Sequence, residues 1–191
     1  MDEISPKDAA GLSETATPQG LIAVCELDQP TANDLLGRKP KLVVVLVEPN
    51  EPGNLGAIIR TADAAGADAV IVDGGADPYN GKAVRASAGS IFHLPVISCP
   101  TEDFLTGTAR IAMQSLATSG HADVDLDDLV DDGSLAQPTV WLFGAEAHGL
   151  PASVAESADR LVRIPIHGRA ESLNLAAAAA VCLYASARAQ R

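Results

Sequence analysis

The residues best placed to do chemistry fall where an apolar run gives way to a helical pattern. Asn54, Gly56 and Arg60 form an Asn-x-Gly-x-x-x-Arg series inside "EPNEPGNLGAIIR" (48–60), straight after "LVVVLV". Such a junction is either a loop closed by a helix cap or part of an active site. Two further loops of the same make-up follow apolar runs, so polar and glycine residues gather at 48–56, 144–151 and 165–172. In parallel α/β sheets, ligands bind beyond the carboxyl ends of strands.

Other chemistries fail on spacing. The dinucleotide fingerprint is absent from the first strand–helix turn. "GADPYNGKA" has one residue too many for a phosphate loop, and Ala83 stands where Ser or Thr would bind magnesium. "GAEAHG" lacks a nucleophilic serine. The run Asp123–Asp132 puts Asp128 at the glycine position of a calcium loop and Ser134 at the glutamate position, so it reads as a solvated loop. His93, His121, His148 and His167 show no metal-ligand spacing, and no metal is expected. Cys25, Cys99 and Cys182 are odd in number and far apart, which suits buried reduced thiols in the cytoplasm.

The elements that must position these loops are legible from residue 41 on. Leu42–Val47 reads as a strand buried on both faces. Asn54 is placed to cap a helix in which Leu55, Ile58, Ile59, Ala62 and Ala65 recur at helical spacing, with Gly66 placed to stop it. Strands are expected at Ala69–Val72, Leu94–Ser98, Ala112–Ala117, Thr139–Phe143 and Leu161–Ile166. Helices are expected at Lys82–Ser90, Glu102–Ile111 and, rich in Ala, Ser172–Ala189. The alternation predicts an α/β fold with a mainly parallel sheet flanked by helices. Residues 1–40 have only one strand-like piece, Leu21–Glu26, and read as a linker or the tail of another domain.

The chain has 191 residues, 47% apolar and 20% charged, enough for one domain with a real core. Aromatic residues make up only 3%, so that core rests on Val, Leu, Ile and Ala. No segment has the look of a signal peptide or a membrane span. The formal net charge of -12 argues against a broad cationic surface and against strong phosphate-backbone binding by this chain alone.

Four segments, "NLGAIIRTADAAGAD" (54–68), "RASAGSIFHLPV" (85–96), "WLFGAEAHGLP" (141–151) and "IPIHGRAESLNLAAAAAVCLYASAR" (164–188), occur in an order that closely resembles the SpoU/TrmH family of RNA ribose 2'-O-methyltransferases, of the SPOUT class. The resemblance covers most of residues 41–191. "LSETATPQGLIAVC" (12–25) is similar to the junction in members that carry an N-terminal L30e-like RNA-binding domain. It implies that 1–40 is linker and remnant of that domain, with a shortened form of a longer chain preferred to a natural short form.

The resemblance also implies a C-terminal trefoil knot, a homodimer with the site near the subunit interface, S-adenosylmethionine as cofactor, and an RNA substrate, ribosomal RNA ahead of transfer RNA. The cofactor loops are then Leu142–Gly149 and Ile164–Asn174. Phe143, Gly144, Ile164 and Leu173 contribute backbone, Leu142 and Ile166 add apolar wall, and Gly144 and Gly168 allow close approach. Arg60 is expected to contact the target phosphate and lower the pKa of the 2'-hydroxyl, since a guanidinium does not readily act as base. Asn54 organises the site around it. Glu146 orients Arg60 or accepts a proton through water. Ser172, itself a natural helix cap, and Asn174 touch substrate or cofactor. Ala145 stands where the family often has a polar residue. The competing reading is a non-catalytic RNA-binding or ribosome-assembly module of the same fold; a nucleotide-dependent α/β enzyme is disfavoured by the missing phosphate loops.

Overall fold

The computed structural model describes residues 3–12, 23, 24, 26, 27, 30–146 and 148–191. Short helices α1 (Pro6–Leu12) and α2 (Ala32–Gly37) come first. Then follow β1 (Leu42–Val47), α3 (Pro52–Ala65), β2 (Ala69–Asp73) and α4 (Gly81–Ser87). A 3-10 turn at Ser90–Phe92 leads to β3 (Val96–Ser98), α5 (Thr101–Ala109) and β4 (Gln114–Thr118). The chain continues through β5 (Val124–Asp125), α6 (Leu126–Asp131), a 3-10 turn at Ser134–Ala136 and β6 (Thr139–Phe143). It closes with α7 (Ala152–Ser157), β7 (Arg160–Arg163) and α8 (Leu175–Ala189).

The seven strands form one sheet in the order β3-β2-β1-β6-β4-β7-β5, and every pairing is parallel. The strand order reverses between β1 and β6, where Leu46 pairs with Phe143. Loops leaving two neighbouring strands there diverge to opposite faces and open a crevice. The loops after β1 and β6 are 48–51 and 144–151, two of the three polar-glycine loops.

Both faces of the sheet are covered, which is why β1 is buried at all six positions. Val44, Leu46, Trp141 and Phe143 pack with α3, α4 and α8 residues such as Leu55, Ile58, Ala83 and Leu183. Val43, Val45, Val140 and Leu142 face the other way, towards Leu35, Phe104, Leu105 and Val154. The period-2 alternation of β6 therefore sends Trp141 and Leu142 to opposite layers. Buried polar groups are matched: Trp141 Nε1 donates to Ser186 Oγ at 2.9 Å, tying the central strand to α8.

Gly56 sets the distance between α3 and α4. A Cβ there would overlap the Ala83 carbonyl and crowd Ala86 Cβ, so the two helices touch backbone to backbone. Asp68 and Asp159 fix strand starts: Asp68 accepts from the amides of Lys41 and Leu42, and Asp159 from the amide and hydroxyl of Ser115.

Several element limits differ from the sequence expectation. Helix α3 begins at Pro52, not Asn54, because proline pre-sets φ and needs no amide partner in the first turn. Gly66 ends it in the left-handed region (φ 78°), as expected. Helix α8 begins at Leu175 rather than Ser172. The acidic run is not a loop. Asp125 and Asp128 form a reciprocal capping box at the start of α6, whose Leu126 and Leu129 are buried. Cys182 is fully buried and free, but Cys99 is only half-buried. Within the strand-like piece 21–26 the described residues 23, 24 and 26 carry no strand, and Leu21, Ile22 and Cys25 lie outside the described residues. Ahead of β1, α2 packs Leu35 into the core.

Candidate functional site

A cavity of about 830 Å³ opens at the carboxyl ends of β4, β6 and β7. Its walls are Thr118–Gly120 after β4, Phe143–Glu146 and Gly149 after β6, Val162–Ile166 from β7 onward, and Ala170–Leu175 leading into α8. That volume is in the range of small-molecule sites, and the lining mixes exposed backbone with aliphatic walls.

Phe143, Gly144, Ile164, Ile166 and Leu173 all line it. Phe143 does so from its backbone side, since its ring is buried against Trp141 with centroids 6.3 Å apart. Ile166 and Leu173 are left 37% and 39% exposed, unusual for aliphatics with no partner in the fold. Leu142 is a correction. Its side chain is fully buried in the opposite layer, and its part is confined to a carbonyl that accepts from Thr118 Oγ1 at 3.1 Å. Gly168 lines a neighbouring apolar hollow of about 450 Å³ rather than the main cavity, and open space surrounds it.

Asn54, Glu146 and Asn174, far apart in sequence, are joined by hydrogen bonds. Asn54 Nδ2 donates to Glu146 Oε1 at 2.8 Å. Asn174 Nδ2 donates to Asn54 Oδ1 at 3.1 Å. Asn174 Oδ1 accepts from the amides of Ala176 and Ala177 at the start of α8. So the expected cap of α3 is a third-position residue free to bridge two loops, and the expected cap Ser172 is displaced by Asn174. The four bonds run in one direction, from the amides of α8 to the Glu146 carboxylate. Ser172 is an exposed part of the cavity wall. Asn174→Ala removes a cap and frees Asn54. We expect a loss of about 1 kcal/mol, read as a fall of about 2–4 °C in the thermal midpoint.

Arg60 lies on α3, exposed and outside the cavity wall. Among the described residues it makes no hydrogen bond or ion pair, and Glu146 Oε1 is held by Asn54. An exposed cation on the helix that bears Asn54 is available to an incoming anion.

The far wall is stapled by an ion pair. Arg163 Nε and Nη2 donate to the two Asp125 oxygens at 2.7 and 3.1 Å. The hydrogen bond from Arg163, then its charge and that of His167, hold the Asp125 carboxyl below the usual carboxylate range. A lowered folded-state pKa means the stabilisation is present above the ordinary carboxylate pKa and is lost as pH falls through the lower value. We expect the difference in thermal midpoint between the wild type and Asp125→Asn to shrink as pH falls from about 5 to below about 3. Calorimetric scans across that range provide the check.

Thr118, Ser119 and Gly120 also line the cavity, outside the site residues expected from the sequence. The available signal was a fourth polar-glycine loop after a strand, "TSG". No group of three or more His, Cys, Asp or Glu that could hold a metal occurs among the described residues. None of their helices is long and apolar enough to cross a membrane.

Fold and site together define a parallel α/β protein whose ligand cavity is built from loops beyond the strand ends. The model of the SpoU rRNA methylase family matches residues 41–184, and the chain belongs to that family, with its SPOUT fold. It is 36% identical over 92% of its length to the 23S rRNA (guanosine(2553)-2'-O)-methyltransferase RlmP of Bacillus subtilis, spanning 67% of that protein. An S-adenosylmethionine-bound rRNA methyltransferase from Sinorhizobium meliloti superposes with a TM-score of 0.74 at 38% identity, over 85% of this chain and 62% of that one. The methyltransferase AviRb of Streptomyces viridochromogenes, in complex with S-adenosylmethionine, gives 0.73 at 39% identity, over 83% of this chain and 65% of that one. The chain thus spans about two thirds of these relatives.

Proposed function

We propose that the chain transfers a methyl group from S-adenosylmethionine to a ribose 2'-hydroxyl of structured RNA, ribosomal RNA ahead of transfer RNA. The observation that carries this is the cavity itself, with Asn54, Glu146 and Asn174 hydrogen-bonded at its mouth and Arg60 facing solvent on the helix that bears Asn54. Kinship with enzymes named for 23S rRNA 2'-O-methylation supports it. So does kinship with structures holding the methyl donor.

The cavity suits the cofactor. The backbone of Phe143, Gly144, Ile164 and Leu173 would hold its base and sugar edges, and Val162, Ile164, Ile166 and Leu173 its apolar faces. Bound there, the cofactor supplies a methyl carbon on a cationic sulfonium. The protein's residues do the rest. The hydroxyl oxygen forms the new C–O bond as the C–S bond breaks, and its proton must leave. Glu146, locked through Oε1, keeps Oε2 to take that proton directly or through water. Arg60 holds the target phosphate and stabilises charge building on the oxygen. Holding both substrates in line contributes up to about 7–11 kcal/mol to such reactions.

Residues 41–191 are the catalytic domain in this reading, with the family match beginning at residue 41, and 1–40 is a linker ahead of it. The C-terminal trefoil knot is part of the same reading; α8 packing on α3, away from its strand neighbours in sequence, is compatible with it. So is a homodimer. Ile166, Leu173, Val181 and Tyr184 remain 37–52% exposed, and most of them border the apolar hollow beside the cavity. We place the protein in the cytoplasm, with ribosomal RNA.

Titration calorimetry with S-adenosylmethionine tests this reading against the RNA-binding module. We expect saturable heat with one site per chain. Absence of heat would favour the module. With a net charge of -12, the chain alone should methylate RNA weakly; efficient multiple turnover would contradict that.

A further inference from the structure

The cavity accounts for where a methyl donor sits, but not for where RNA on either side of the target nucleotide lies. The face formed by α3, α4 and the turn Ser90–Phe92 has the required chemistry. A Cβ on Gly53 of α3 would come within 3.5 Å of Lys82 Cε on α4, one on Gly56 would overlap Ala83 and Ala86, and Asp63 meets His93 at 2.9 Å. The two elements therefore run alongside each other in the same direction. Asn54 and Asp63 are nine residues apart, about 13 Å along the helix.

Along this strip Arg60, Lys82 and Arg85 are exposed. At its far end Phe92 is 70% exposed, in a chain whose Trp141, Phe104 and Phe143 are all buried. Beside it the His93 side chain is 64% exposed. Carboxylates are present too: Glu51 pairs with Lys82 at 3.1 Å and Asp63 with His93 at 2.9 Å. The pairs are solvent-exposed and weak, and they leave Lys82 able to turn to a phosphate. Cations leading to an outward-facing aromatic ring suit single-stranded RNA, whose backbone needs positive charge and whose unstacked bases need a π surface. A protein partner would favour a continuous apolar patch, which this strip lacks and the Ile166–Tyr184 face has.

Resting on the methyltransferase reading, we propose that this strip is the docking surface for unpaired RNA flanking the target nucleotide. Arg60, Lys82 and Arg85 follow its phosphates, and Phe92 stacks on one base.

The test uses the full chain and a 12-nucleotide single-stranded oligouridylate at low salt. Trp emission of Phe92→Trp should be quenched by that RNA, and not by a blunt RNA duplex of the same length. Phe92→Ala should weaken binding about tenfold. Lys82→Ala should reduce the slope of log affinity against log salt by about 0.7. Calorimetry with S-adenosylmethionine on the same proteins should be unchanged. No quenching together with unaltered affinity in Phe92→Ala overturns the proposal. A change in sedimentation of Phe92→Ala also overturns it, assigning Phe92 to a contact between protein chains. Donor binding with no RNA effect defeats the docking surface alone, whereas loss of donor binding in the wild type defeats the methyltransferase reading.

Discussion

Arg60→Ala is expected to lower methyl transfer by at least about 100-fold while changing affinity for S-adenosylmethionine less than about threefold. The split follows from position. Arg60 is outside the cavity wall and makes no bond to any described residue, so its removal leaves the cavity and the Asn54–Glu146–Asn174 chain intact. In the proposed reaction, what disappears is the cation that would stabilise the charge gathering on the hydroxyl oxygen. Loss of one such group in other enzymes costs about 10²–10³ in rate. Arg60→Lys keeps the charge but not the planar fork, and should recover part of the rate. The measurement is single-turnover transfer of labelled methyl with protein in excess over ribosomal RNA, beside donor calorimetry. Equal loss of rate and donor affinity would show Arg60 to be a support of the cavity. Undiminished transfer would remove it from the reaction.

Neither sequence spacing nor residue type places Arg60 outside the cavity wall. Six of the seven strands and the main helices were legible, since β1 is an unbroken aliphatic run and α3 repeats its apolar residues every three or four positions. The three loops that converge were legible as well, each a polar-glycine segment after a strand. The partners inside the site were not. Asn54 is 92 residues from Glu146 and 120 from Asn174, and only the strand order, with β1 beside β6, brings them together. Local rules misassigned the caps for a related reason. Asn54 and Ser172 both satisfy the composition of a cap, but Pro52 started α3 earlier, and Asn174 reached the free amides of α8 first. Leu142 illustrates a different limit. Its neighbours Phe143 and Gly144 face the ligand cavity, yet the pleat sends its side chain into the opposite layer. The acidic segment was misread because its charges dominated. Asp125 and Asp128 are favourable at a helix start, and Leu126 and Leu129 provide a buried edge too short for periodicity to reveal.

Gly144→Ala should affect donor binding most. The loop after β6 folds back so that Ala145 bridges Gly149, with the Gly149 amide donating to the Ala145 carbonyl at 2.9 Å. A Cβ on residue 144 would overlap the carbonyl group of Gly149 and the amide of Leu150. All of those are backbone atoms, so no rotamer change can relieve the clash, and the loop must open. Ala145 is 7% exposed in the closed loop, which also explains why a small apolar residue serves here: a polar side chain would need a partner at that point. Opening the loop moves the backbone of 143–146, one wall of the cavity, and with it the carboxylate that Asn54 holds. We expect donor affinity to fall at least about tenfold, with a stability loss of about 1–3 kcal/mol of the kind seen for overpacking. Gly168→Ala is the control, because open space surrounds that residue, and it should change neither quantity measurably. If both variants bind the donor as the wild type does, the pinched loop is not what shapes the site. If both lose it, the requirement belongs to the flexibility of these loops rather than to the closeness of residues 144 and 149.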